Sequence, residues 1–207
     1  MEIWESIKTG RETFADYLAA LPAAAWSAPS LCEGWTVKDV VAHLLVVPTK
    51  SKGEVFRAFA GSGFNLDKMN AKFVAKIGAE MSTAQMASAL RTSAASRSMP
   101  PGLKVPGVLN ELAVHAADVS EAVGTPFDLP AGDYLACLDH LKGVQPVFGT
   151  KKRIAGLTVR TTDAAWSTGS GPIVEGEAKQ VLLALAGRKR AFEHLSGDGV
   201  ASLKSRR

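Results

Sequence analysis

The sequence predicts a mostly α-helical protein with a small α+β part at its C-terminal end. Three observations carry that expectation. Apolar residues recur at helical spacing from Ile3 to Leu141. β-branched residues in partial alternation, set between glycine-rich turns, are confined to residues 154–176. The 207-residue chain is 46% hydrophobic and 21% charged, which is globular in balance and long enough for one ordinary domain or two small ones.

Ile3, Ile7, Phe14, Leu18 and Leu21 place a first helix over residues 3–21. Pro22 ends it, because its ring and missing N–H cannot continue a helix. Residues 23–35, with Pro29 and Gly34, read as a connector. Thr36 is a good N-cap, and Asp39 three residues on completes a capping-box pattern with Asp in place of Glu. The helix it opens runs through Val40, Val41, Leu44, Leu45 and Val47 and is expected to stop near Pro48. Residues 51–60 and 67–78 read as shorter or irregular helices around the Gly61-Ser62-Gly63 break, and residues 82–98 as a helix capped by Ser82. Pro100-Pro101-Gly102 and Pro106-Gly107 bracket a loop. Residues 108–123 are a strongly apolar helix closed by Gly124 and Pro126, and 133–142 one more.

The pattern then changes. Residues 154–161, 164–168 and 173–176 read as strands, the last two separated by Gly169-Ser170-Gly171-Pro172. Residues 177–186 read as a helix and 190–195 as a short one. The boundary is expected within residues 143–150, giving a helical bundle over 1–145 and a small α+β unit over 150–207.

The composition excludes several classes. The longest apolar stretches, residues 40–47 and 181–186, fall far short of the ~20 residues a membrane span needs. Lys and Arg total 24 against 20 Asp and Glu, a net charge of +4, with no basic helix interleaved with aromatics, so neither nucleic acid nor a membrane is an expected partner. Cys32 and Cys137 are too few for a disulfide scaffold and lack the spacing of a thiolate zinc site. The first residues, MEIWESIKTGRETF, are charged and hold no apolar signal core, so a cytoplasmic location is expected.

The chemistry concentrates in two histidines. Of His43, His115, His140 and His194, the first two interrupt strongly apolar helices, in VVAHLLVV and NELAVHAAD. An imidazole buried there costs stability unless its nitrogens find partners. Glu111 stands four residues before His115, hence one turn away on the same helix face. That pair suits a divalent metal, as in helical zinc sites where i and i+4 residues converge on one ion. His43 from a second helix is the obvious third ligand. Two His and one Glu leave an open position, the catalytic form of a zinc site. The alternatives are a surface ion pair for Glu111 and His115 and a hydrogen-bonded core histidine for His43. Cys32 reads either as a small buried apolar group or as a fourth ligand. His140 and His194 lie in more polar surroundings and are expected to be exposed. Trp26, Trp35 and Trp166 are expected to pack, and Asp163 to serve a turn.

Residues 26–44, WSAPSLCEGWTVKDVVAHL, resemble the N-terminal signature of the mycothiol-dependent maleylpyruvate isomerase family. The segment LNELAVHAAD, residues 109–118, resembles its second metal signature. The C-terminal blocks Gly156-Leu157 to Asp163, WSTG at 166–169, Val174-Glu175-Gly176, Leu185-Ala186-Gly187-Arg188 and LSGDGV at 195–200 resemble its small second domain. The resemblance is weak between residues 50 and 106, which are expected to form much of the pocket rim. It implies a DinB-like four-helix bundle followed by a small sterol-carrier-like α+β domain. It also implies metal ligands at His43, Glu111 and His115, the trio the helix spacing selects.

The implied reaction uses a divalent metal, zinc foremost, to hold a low-molecular-weight thiol, mycothiol of the actinobacteria, as a thiolate. That sulfur would serve either cis-trans isomerisation or S-transfer on a small electrophile. Arg188 matches an arginine the family is thought to use in catalysis and would grip a substrate carboxylate; the alternative is a cation at a helix C-terminus. Asp118, three residues after His115, would orient a metal-bound group, or simply pair with a nearby base. The competing function is a non-catalytic metal- or ligand-binding protein of the same fold. A monomer or small homo-oligomer is expected.

Overall fold

The computed structural model describes residues 2–99, 103–143 and 149–206. Helix α1 (Ile3–Ala20) is followed by a single 3-10 turn, Ala23–Ser27, and then by α2 (Val37–Thr49). Thr36 opens α2 with a complete capping box. Its hydroxyl accepts from the Asp39 amide at 3.3 Å, and its own amide donates to the Asp39 carboxylate at 2.9 Å. The helix ends near Pro48, as expected, one residue past it.

Helices α3 (Lys52–Ala60) and α4 (Leu66–Glu80) come next. The second is a regular 15-residue helix, not an irregular one. Helix α5 (Thr83–Thr92) ends well short of residue 98. Ser93 turns its hydroxyl back to the Ala89 carbonyl at 2.7 Å. The Arg11 guanidinium of α1 takes the carbonyls of Ala94 and Ser96 at 3.2 and 2.9 Å.

Helix α6 (Val105–Val123) begins where the sequence was read as the end of a loop. Pro106 and Gly107 sit in its first turn, where a missing N–H costs nothing. The Pro100-Pro101-Gly102 part of that loop lies outside the described residues. Gly124, at φ +68°, closes α6 in the left-handed region that glycine enters freely.

Helices α1 and α2 both pack on α5 and α6, and α2 also on α4. Phe14, Leu18, Val40, Val41, Leu45, Met86, Leu90, Leu109 and Leu112 fill the space between them. They are the apolar stripe residues of their helices, so burial of these stripes builds the bundle.

The second unit contains α7 (Ala131–Leu141), α8 (Thr150–Arg153), β1 (Thr158–Thr161), β2 (Ser167–Gly169), β3 (Ile173–Gly176), α9 (Ala178–Leu185), a 3-10 segment Lys189–His194 and α10 (Val200–Ser205). Its sheet has the order β2-β1-β3. β1 pairs antiparallel with β2, Val159 opposite Thr168, and parallel with β3, Val159 opposite Val174. The first strand is shorter than the expected 154–161, because the turn over residues 154–156 that follows α8 occupies its start. The second falls at 167–169, not 164–168.

The chain divides into compact units Met1–Phe127 and Asp128–Arg207. That division lies earlier than the expected 143–150. Helix α7 buries Tyr134, Cys137, Leu138 and Leu141 and packs on α9, so it belongs with the sheet. Among the described residues no helix is long and apolar enough to cross a membrane.

Helix α2 carries His43, so its start fixes part of the candidate site. Thr36→Ala removes one half of the capping box and is expected to cost about 1 kcal/mol of stability, read by urea denaturation.

Candidate metal centre

Helix α6 buries most of its length, Leu109, Leu112, Ala113, Ala116, Ala117 and Val119 included. In that apolar setting Glu111 and His115 meet one turn apart, with His115 Nε2 3.6 Å from Glu111 Oε2. Helix α2 lays His43 beside them, its Nε2 3.2 Å from the same oxygen. The two imidazoles meet edge to face, centroids 5.0 Å apart. The structure therefore brings together the three residues that the sequence selected, with one donor atom from each within 4.8 Å of the others.

These donors suit a divalent cation. In a tetrahedral site with bonds of about 2.0–2.1 Å, neighbouring donor atoms stand about 3.3 Å apart. The two separations centred on Glu111, 3.2 and 3.6 Å, bracket that spacing. His43 Nδ1 is buried without a hydrogen-bond partner, so the polar contacts of that ring lie on its Nε2 side. The Glu111 side chain keeps 37% of its surface open, against 10% for His115.

Asp118 completes the arrangement from below. Its carboxylate is fully buried, and its Oδ2 receives the His115 Nδ1–H at 3.0 Å. A histidine whose Nδ1 is held in this way presents the Nε2 lone pair to a metal in a fixed direction.

Residues 28–36 form a strap in front of these helices. Pro29 and Thr36 bridge, the Ser30 amide donates to the Trp35 carbonyl at 2.9 Å, and the Val37 amide to the Ala28 carbonyl at 3.0 Å. The strap sets the Trp35 ring 5.2 Å from that of His43. It also sets Cys32 near His115 and Asp118, the donor atoms of these three again within 4.8 Å of one another. Cys32 thus shares only His115 with the trio. The partnership of Trp35 with His43 has no signature in the sequence beyond their separation by one connector and two helical turns.

The electrostatics bind the cluster together. Burial alone would push the Glu111 carboxyl up, but hydrogen bonds from His115 and His43 outweigh it and hold the group below the usual carboxylate range. Burial alone would lower His115; the Asp118 and Glu111 carboxylates overcome it and push its pKa up to about 9. Without a metal, the cluster is an imidazolium clasped between two carboxylates.

The remaining predicted residues are not among these donor atoms. Arg188 lies in the second unit, just past α9, where its Nη1 donates to the Ala186 carbonyl at 3.0 Å. That is the contact of a cation with the carbonyl end of a helix. Asp163 accepts from the Ala178 amide at 2.8 Å and so starts α9. Trp26 is buried, and the Trp166 indole donates to Asp139 at 3.1 Å. His194 is exposed, as expected, whereas His140 is half-buried beside the second unit's core.

The fold and this donor set define a helical-bundle protein with a candidate divalent-cation centre, joined to a small α+β unit. Residues 7–108 match the mycothiol maleylpyruvate isomerase N-terminal domain family. Two solved structures share the fold across both units. One is a crystal structure of the mycothiol-dependent maleylpyruvate isomerase, 17% identical, TM-score 0.65, covering 95% of this chain and 92% of that one. The other is a histidine-to-alanine mutant of that enzyme, 15% identical, TM-score 0.60, with the same coverage. No curated protein matches the sequence. The DinB-like bundle with a small α+β part is the fold the sequence led one to expect.

The raised His115 pKa has a consequence for the metal-stripped protein. A basic group whose pKa rises on folding, here from the ordinary 6.5 to about 9, adds stability that is complete below pH 6.5 and is lost as pH climbs through 9. Chelator-treated wild type should therefore lose melting temperature over that window, and His115→Gln should lose much of the slope. Differential scanning calorimetry at stepped pH checks it.

Proposed function

We propose that this protein is a divalent-metal-dependent enzyme that uses a low-molecular-weight thiol, mycothiol, to isomerise a small cis-unsaturated acid such as maleylpyruvate. The observation that carries the reading is the meeting of His43 Nε2, His115 Nε2 and Glu111 Oε2, with His43 inside the residues 7–108 that match the mycothiol maleylpyruvate isomerase N-terminal domain and Glu111 and His115 just beyond them. A divalent cation held there lowers the pKa of a thiol brought to it and keeps it in the nucleophilic form at neutral pH.

The residues divide the work. Glu111 supplies the one negative charge of the set, which balances half of a divalent ion and leaves it electrophilic. Asp118 keeps the His115 ring in the orientation and tautomer that point Nε2 at Glu111. Trp35 lies against His43 and screens that ring from water on one side. Arg188 is proposed as the cation for a substrate carboxylate, because a guanidinium matches that group bidentately. Zinc suits two imidazoles and a carboxylate, and other borderline divalent ions do as well. S-transfer to a small electrophile would draw on the same activated sulfur.

Elemental analysis comes first. On a Cys32→Ser background the otherwise wild-type chain should carry about one divalent ion, and the His43→Ala, Glu111→Ala double variant none. Equal metal in both defeats the ligand assignment. Asp118→Asn keeps all three donors and should weaken metal affinity by about 10–100-fold.

Turnover of maleylpyruvate, followed by absorbance, should require mycothiol and disappear in the double variant. Arg188→Ala should keep the metal and lose turnover. A metal-loaded protein that turns over neither this acid nor other electrophiles with any thiol would be a binding protein of this fold.

A further inference from the structure

Cys32, His115 and Asp118 form a second donor set that the proposed trio does not use. Their donor atoms lie within 4.8 Å of one another. Cys32 is partly exposed and outside any disulfide, Asp118 is fully buried, and His115 is shared with the trio. The His115 ring faces Glu111 through Nε2 and Asp118 through Nδ1. The two sets therefore address opposite nitrogens of one imidazole.

Three features make the second set more than a chance cluster. It offers sulfur, nitrogen and oxygen, and thiolate sulfur favours soft and borderline ions over magnesium or calcium. Cys32 is fixed, because its amide donates to the Ser30 hydroxyl at 3.1 Å and its carbonyl accepts the Trp35 amide at 3.0 Å. Asp118 is fully buried with its Oδ2 3.0 Å from His115 Nδ1, so an oxygen and a nitrogen donor already converge there at ligand spacing.

We propose that Cys32, His115 and Asp118 constitute a second site, selective for thiophilic divalent ions such as cadmium or excess zinc, whose occupation excludes an ion from the trio. An ion on Nδ1 takes the lone pair that otherwise carries the proton donated to Asp118. The neutral ring then holds its proton on Nε2, facing Glu111, and that nitrogen can no longer ligate. One imidazole thus serves one site or the other according to its tautomer. The exclusion rests on the function proposed above; the existence of the Cys32 site does not.

The test is a cadmium titration of the full-length, chelator-treated protein, followed through the ultraviolet thiolate-to-cadmium charge-transfer band. Cys137 is fully buried in the second unit, and Cys137→Ala is used as the background so that only Cys32 can report. The band is expected in that background, is expected to vanish in Cys32→Ser, and is expected to persist in Glu111→Ala, which disables the trio alone. Absence of the band from the Cys137→Ala protein overturns the site, as does its survival in Cys32→Ser. Loss of the band in Glu111→Ala as well would mean that Cys32 belongs to the trio, and would also overturn the site.

If the proposed metal dependence is wrong, the band still appears and only the activity assays fail. For the exclusion, zinc-loaded protein should release its zinc as the cadmium band grows. Zinc retained at full band intensity overturns that part.

Discussion

One carboxylate organises the N-terminal unit. Glu111 faces two imidazoles from two helices, and both favour its ionised form against the burial that opposes it. The packing of α2 on α6 is therefore set by more than its apolar stripes. Those stripes would tolerate small slides and rotations, whereas two nitrogens aimed at one oxygen do not.

The same constraint explains why α6 can be so apolar and yet polar at selected turns. Glu111, His115 and Asp118 follow one another at spacings of four and three, so they climb one face while the leucines and alanines between them pack elsewhere. Each polar member has its partner within this ladder or on α2. The strap before α2 adds a wall, and the Thr36–Asp39 capping box ties that wall to the helix bearing His43. The first turn of α2 thus orients both a ligand candidate and the surface beside it.

Much of this was legible in the sequence. The i, i+4 placement of Glu111 and His115 is a local fact, and so is the capping box of Thr36. The isolation of His43 in an apolar helix pointed to a partner without naming its position in space. What the sequence did not disclose depends on distant contacts. Helix α5 stops at Thr92, and the carbonyls of Ala94 and Ser96 beyond it go to Arg11, far away in the chain. Helix α7 reads like the bundle helices before it, and only its packing on α9 assigns it to the sheet unit. Cys32 read either as a small buried apolar group or as a fourth ligand, and the strap places its sulfur within 4.8 Å of donor atoms of His115 and Asp118.

His43 and Glu111 are 68 residues apart in sequence. A contact over that span closes a long loop, and the entropy of closing it must be met before the contact returns anything. Unlike a disulfide, this clasp does not restrict the unfolded chain, so it lends no help until the helices are nearly in place. The clasp closes only once α2 has docked on α6, and its carboxylate keeps part of its water even then, since 37% of the Glu111 side chain stays open.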